Sequence, residues 1–247
     1  MSGLGDGATQ LLAHLEASAI LLIEWETSLQ IRLGYPLAPN GSRFFLVPDG
    51  QLQKVQDIAA ELGFSPVHED ILRSIYTCEL SGLAVRYLID DATSDQGPPR
   101  RRLVFLPMSW AGITLDEAIP IQVDDGLQPA LPPSTRTVPL PAACAAFARI
   151  AAREKRTSRV HRGILEQLSS VIGESLFDMS YEGDYMEILA NDQPLSEGEN
   201  LEIEQAVKVI KSWPFREDEE WIKDILVDIY TSKKTFLDFP WERRVNL

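Results

Sequence analysis

Phe44-Phe45-Leu46-Val47-Pro48-Asp49 is the stretch on which the fold turns. Four consecutive apolar residues, two of them aromatic, predict a short buried strand. Pro48 has no backbone N–H and ends it. From Gln51 to Leu62 the apolar residues Leu52, Val55, Ile58, Ala59 and Leu62 recur every three or four positions, which predicts an amphipathic helix with one face on a sheet. Gly63-Phe64 closes that helix.

Upstream, Leu11, Leu12 and Leu15 share a face of a helix expected from Ala8 onward. Ala19 to Ile23 reads as a buried strand, followed by Glu24-Trp25-Glu26 and a helix from Thr27 to Leu33 that Gly34 ends. Tyr35 to Ser42, with two prolines and Asn40-Gly41, reads as a turn region. Downstream, Ile75 to Leu80, Ala84 to Ile89 and Arg102 to Leu106 read as three strands, the first two joined as a hairpin through Ser81-Gly82. Ile119 to Val123 is a further strand, placed at a sheet edge by Pro120.

Pro129, Pro132, Pro133 and Pro139 mark residues 126–139 as a Pro-rich linker between an α/β domain, 1–125, and a helical domain, 140–247, packed on the first. Four helices are expected beyond it: Pro141 to Arg153, Ser158 to Met179, one introduced by the Ser196/Glu199 capping box, and Glu217 to Thr231. The fold class is thus α/β (α+β), a mixed sheet with flanking helices followed by a C-terminal helical bundle.

The 247 residues suffice for a sizeable core. With 37 acidic against 23 basic residues the net charge is −14, so nucleic acid is not an expected partner, because phosphate binding needs clustered cations. Cys78 and Cys144 stand outside any metal-ligand spacing and are expected as buried thiols. Met1 to Gly7 lacks the pattern of a secretory signal, and no apolar run approaches the ~20 residues of a membrane span. A soluble intracellular protein, cytoplasmic or nuclear, is expected, with no membrane partner.

Gly34-Tyr35-Pro36, Phe45-Leu46-Val47-Pro48-Asp49 and Gly63-Phe64 resemble the nucleotidyltransferase-fold superfamily over residues 8–125. They are more similar to a group of uncharacterised filamentous-fungal proteins carrying a degenerate version of it. Ser109-Trp110 and the helical tail resemble the fungal group only. The resemblance implies a nucleotidyltransferase-like mixed sheet. In active members a Gly turn precedes a helix, and two acidic residues alternate on a strand ahead of a run such as Leu-Leu-Val-Pro. Nucleotidyl transfer uses Mg²⁺, a hard ion held by carboxylates, and alternate strand positions point two of them to one face. Aligned on Val47-Pro48, the two acidic positions fall on Ser42 and Phe44, and the Gly turn falls near Glu24-Trp25. A third family carboxylate matches Asp90 or Asp91. The implied reading is a non-catalytic module without cofactor that binds an unknown protein or small-molecule ligand. The alternative is an active Mg²⁺-dependent transferase with a rearranged site of Glu24, Glu26, Asp90 and Asp91.

The candidate pocket comprises Glu24, Trp25, Glu26, Ser42, Phe44, Asp90, Asp91, Ser109 and Trp110. The carboxylates are either an acidic pocket for a cation or polar ligand, or solvated groups at element ends. Trp110 is either a stacking wall for a ligand ring or a core residue closing the sheet. No G-x-S-x-G surrounds Ser109, and His14, His68 and His161 sit in no ligand motif. Arg149, Arg153, Lys155, Arg156, Arg159 and Arg162 form a basic surface for a phosphate or an acidic partner, or one neutralised by Glu217 to Glu220. A third reading is an interaction protein that works through this segment and its acidic helices, without a pocket.

Overall fold

The computed structural model describes residues 6–38, 41–68, 72–89, 101–121, 131–177 and 197–242. They form a mixed α/β structure with a six-stranded sheet in the order β3-β4-β2-β1-β6-β5. The strands are β1 (Ile23–Glu24), β2 (Arg43–Val47), β3 (Val85–Leu88), β4 (Arg102–Pro107), β5 (Ile119–Pro120) and β6 (Arg136–Thr137). β2 runs parallel to β4 with Phe44 opposite Val104 and Leu46 opposite Leu106, and antiparallel to β1 with Glu24 opposite Phe45. β3 and β5 are the edges, and Pro120 lies on an edge strand as its missing N–H requires. Eight α-helices are described: α1 (Asp6–Ala17), α2 (Glu26–Arg32), α3 (Leu52–Glu61), α4 (Met108–Ala111), α5 (Leu140–Arg153), α6 (Arg159–Leu176), α7 (Glu197–Ser212) and α8 (Glu220–Tyr230). Ser196 of the expected capping box lies outside the described residues.

The apolar runs of β2 and β4 follow from burial on both faces. Phe45, Val47, Leu103 and Phe105 join Leu11, Leu15, Val55 and Ala59 of α1 and α3 in one cluster. Phe44, Leu46, Val104 and Leu106 face the other way, into a cluster with Phe147, Ile150, Ile164, Leu168, Ile210 and Leu226 of α5 to α8. Three layers result, and residues from both sides of 126–139 share the second core. Arg136–Thr137 of the Pro-rich stretch forms β6 beside β1. Helix α5 is enclosed from Ala143 to Ala152, which accounts for its run of alanines. Both cysteines are buried free thiols. Among the described residues no helix is long and apolar enough to cross a membrane.

Two expected elements differ. Ile75 to Leu80 is not a strand: Thr77–Ser81 is a 3₁₀ turn. The Glu79 carboxylate accepts from the N–H groups of Ile75 and Tyr76, at 3.0 and 3.1 Å, and holds the turn from inside. Gly82, with φ +72°, ends that turn instead of making a hairpin. The strand expected over Ala19 to Ile23 begins only at Ile23. Ala19 has φ +55°, the Ile20 N–H closes back on Leu15, and the Leu21 N–H is taken by the Gln51 side chain.

A cleft built on Glu26

Strand β1 would place Glu24 and Glu26 on one face if it continued. It does not. Trp25 is extended, but Glu26 has φ +52°, in the left-handed region that residues with a Cβ rarely occupy. The chain turns there. Glu24 stays on the Phe45 side of the sheet, with its carboxylate held by Arg32. The Glu26 carboxylate goes instead to the layer of α6. Its Oε2 accepts from the Cys78 N–H at 3.3 Å, and its Oε1 accepts from the Gln167 side chain. One carboxyl therefore ties the start of α2 to the 3₁₀ turn and to α6.

Glu26 is 3 % exposed. Burial raises its pKa from 4.5 to about 7, against the hydrogen bonds from Cys78 and Gln167, and Glu79 adds a further push. Burial beside Glu26 also drives the Cys78 thiol well up, so it stays protonated.

The carboxyl lines a cleft of about 330 Å³ between the 3₁₀ turn and α6. Gln30 and Tyr35 come from α2 and the loop after it, Ile75, Tyr76 and Thr77 from the turn, and Gly163, Glu166, Gln167 and Ser170 from α6. Gly163 permits the close approach: a Cβ there would stand 2.5 Å from Thr77 Oγ1. No Lys or Arg is among these lining residues. Gln167 Oε1 is buried and has no hydrogen-bond partner among the described residues.

Among the described residues, the other expected pocket residues do not line this cleft. Trp25 and Phe44 are fully enclosed. Trp25 meets Trp110 edge-on at 6.2 Å and Phe147 at 5.3 Å, and Phe44 lies 4.5 Å from the Tyr76 ring. Trp110 is thus a core residue and not a stacking wall. Ser42 Oγ accepts from the Arg102 N–H at 3.3 Å, so it serves the β2–β4 junction. The Ser109 N–H donates to Asp49 at 3.0 Å, and its carbonyl accepts from Arg153. Asp90 and Asp91 lie outside the described residues. Among the described residues no group of three or more His, Cys, Asp or Glu side chains is placed to hold a metal ion.

The basic segment divides. Lys155, Arg156, Arg159 and Arg162 are exposed. Arg149 is not a surface residue: it is 1 % exposed, bonded to Glu219 at 2.6 and 2.8 Å, to Glu117 at 2.7 Å and to the Gly112 carbonyl at 2.9 Å. Arg153 is turned inward onto the carbonyls of Ser109 and Trp110. The reason is helical phase. Positions 149 and 153 fall on the side of α5 that meets α4 and the loop after it, whereas 155–162 occupy the corner and first turn of α6.

The cleft residues of α6 were not singled out by the sequence. Glu166, Gln167 and Ser170 lie off the apolar stripe of that helix, and only the turn at Glu26 gives Gln167 its carboxylate partner. No family model, curated protein or solved structure matches this chain.

Proposed function

We propose that this protein is a non-catalytic, nucleotidyltransferase-like binding module, and that the Glu26 cleft is its ligand site. The carrying observation is the buried Glu26 carboxyl beside an unpartnered Gln167 oxygen, in a wall that offers acceptors and no cation. Such a site fits a small ligand rich in hydrogen-bond donors, and an organic ammonium best of all. It does not fit a triphosphate, which calls for Lys, Arg or bound Mg²⁺. The left-handed backbone at Glu26 supports the reading, since strain of this kind is kept where a side chain must be aimed.

The alternative of an Mg²⁺-dependent transferase draws on Glu24 and Glu26 together, and these carboxylates go to different layers. Calorimetric titration with a diamine, with the isosteric diol, and with nucleoside triphosphate plus Mg²⁺ separates the two. Saturable binding of the diamine alone, lost in Glu26→Gln, is the expected result. Mg²⁺-dependent nucleotide binding without diamine binding would overturn the proposal.

A further inference from the structure

A second concavity lies on another part of the molecule, at the corner between α5 and α6. It has a volume of about 390 Å³ and is walled by His161 and Leu165 of α6 and by Phe236 and Leu237 of the 3₁₀ turn Phe236–Asp238. Arg156 and Arg162 stand in its lining. The apolar wall is not a closed core: Leu237 is 73 % exposed, the most exposed large apolar side chain among the described residues. The His161 ring places Nδ1 at 2.9 Å from the Ala151 carbonyl, which fixes its orientation in the wall.

The rim is cationic in a strongly acidic protein. Lys155, Arg156, Arg159 and Arg162 are all exposed within eight residues of sequence, and Arg159 and Arg162 are one turn apart on α6. Hydrogen bonds from the Thr235 backbone and side chain hold the Asp238 carboxyl below its ordinary value, and the nearby Arg156 adds to this. Arg149 and Arg153, by contrast, are consumed by Glu219, Glu117 and backbone carbonyls. Among the described residues, Lys155, Arg156, Arg159 and Arg162 stand in no such ion pair. In a chain of net charge −14 they concentrate a local positive field over an apolar hollow.

We infer that this groove docks a partner protein through an acidic peptide with a large apolar anchor. The anchor, a Leu, Phe or Trp side chain, fills the space between Leu165, Phe236 and Leu237, and carboxylates on either side of it meet Arg156 and Arg162. Charge complementarity selects this occupant. An uncharged apolar peptide leaves the guanidinium groups unanswered, and a bare phosphate leaves the apolar wall wet.

Fluorescence anisotropy on the full chain tests the inference, with labelled dodecapeptides carrying Glu around a central Phe. Parallel peptides replace the Phe by Ser or every Glu by Gln. Saturable binding of the acidic Phe peptide is expected, weakened roughly tenfold or more by either peptide change, by Arg156→Glu with Arg162→Glu, and by Leu237→Ser. These positions are exposed, so unchanged circular dichroism and melting confirm that the variants are folded. Rising salt weakens the binding. Absence of saturable binding, equal binding of the Gln peptide, or competition by inorganic phosphate or anionic vesicles as effective as that of the unlabelled peptide would each overturn it.

Discussion

Replacing Glu26 by Gln is expected to stabilise the protein at neutral and alkaline pH, which is the reverse of what removing a hydrogen-bonded carboxylate ordinarily does. In the folded state the carboxyl titrates at about 7 because burial disfavours its charge, against an ordinary value of 4.5. Between those values the unfolded chain has released the proton and the folded chain has kept it. Stability therefore falls as pH rises from about 4.5 to about 7, and is level on either side as far as this group is concerned. Integrated over the interval, the loss is about 3 kcal/mol as an upper bound. Glutamine avoids it, having no charge to desolvate. The hydrogen bonds survive the change. The oxygen of the introduced amide accepts from the Cys78 N–H, and its new NH₂ needs an acceptor, which the unpartnered Gln167 Oε1 supplies once that amide turns over.

Melting curves of wild type and Glu26→Gln from pH 4 to pH 8.5 measure the effect. The two should come together near pH 4 and separate as pH rises through the interval from about 4.5 to about 7, the variant melting up to roughly 6–12 °C higher at pH 8. Taking the difference cancels every other titrating group. A difference that stays flat with pH would refute the desolvated carboxyl, and with it the account of the cleft floor. A flat difference with the variant less stable throughout would mean that Glu26 is held as an ordinary anion by Cys78 and Gln167.

Other substitutions test the supporting structure by denaturant unfolding. Arg149→Met strips Glu219 of its main partner, leaves Glu117 to Arg216, and should cost about 3–5 kcal/mol, while adding Glu219→Leu recovers much of it. Gly163→Ala pushes a methyl group to 2.5 Å from Thr77 Oγ1 and should cost about 1–3 kcal/mol. Combined with Thr77→Ala the loss should shrink, because the closest remaining approach is the 3.4 Å to Cβ. Phe44→Asp restores an acid at the position where the nucleotidyltransferase resemblance expects one. Since Phe44 is wholly enclosed against Tyr76, the variant should lose cooperative unfolding and gain no Mg²⁺ binding; a folded variant with Mg²⁺-dependent stabilisation would revive the transferase reading.

The sheet was legible because it is buried twice. Runs such as Phe44 to Val47 and Leu103 to Leu106 have no polar alternate positions, and helices α1 and α3 on one side and α5 to α8 on the other explain why none are needed. The turn at Thr77–Ser81 was not legible. Ile75-Tyr76-Thr77-Cys78 has the composition of a strand, and what overrides it is Glu79, whose carboxylate caps the turn while Arg102 holds it from β4 at 2.9 Å. That pairing joins residues 23 positions apart and leaves no local trace. The division of the arginines had the same cause: 149 and 153 differ from 156 and 162 only in which neighbour the fold brings, and Glu117 and Glu219 come from opposite directions along the chain.

The site turns on one backbone angle. Alternation along β1 would have aimed Glu24 and Glu26 at the same side, as the acidic pocket read from the sequence required. The left-handed φ at Glu26 reverses the second of them, so that one carboxylate is neutralised by Arg32 and the other is sunk between the 3₁₀ turn and α6. Two acids that the sequence allows to converge are thereby divided, and the buried one has its pKa pushed up to about 7 by desolvation. Glutamate is an unusual occupant of that angle, where Gly or Asn would sit with less strain. Its presence is accounted for by the carboxyl it carries, which spans to both Cys78 and Gln167 as no Gly or Asn side chain would, and this ties the strained residue and the cleft to the same cause.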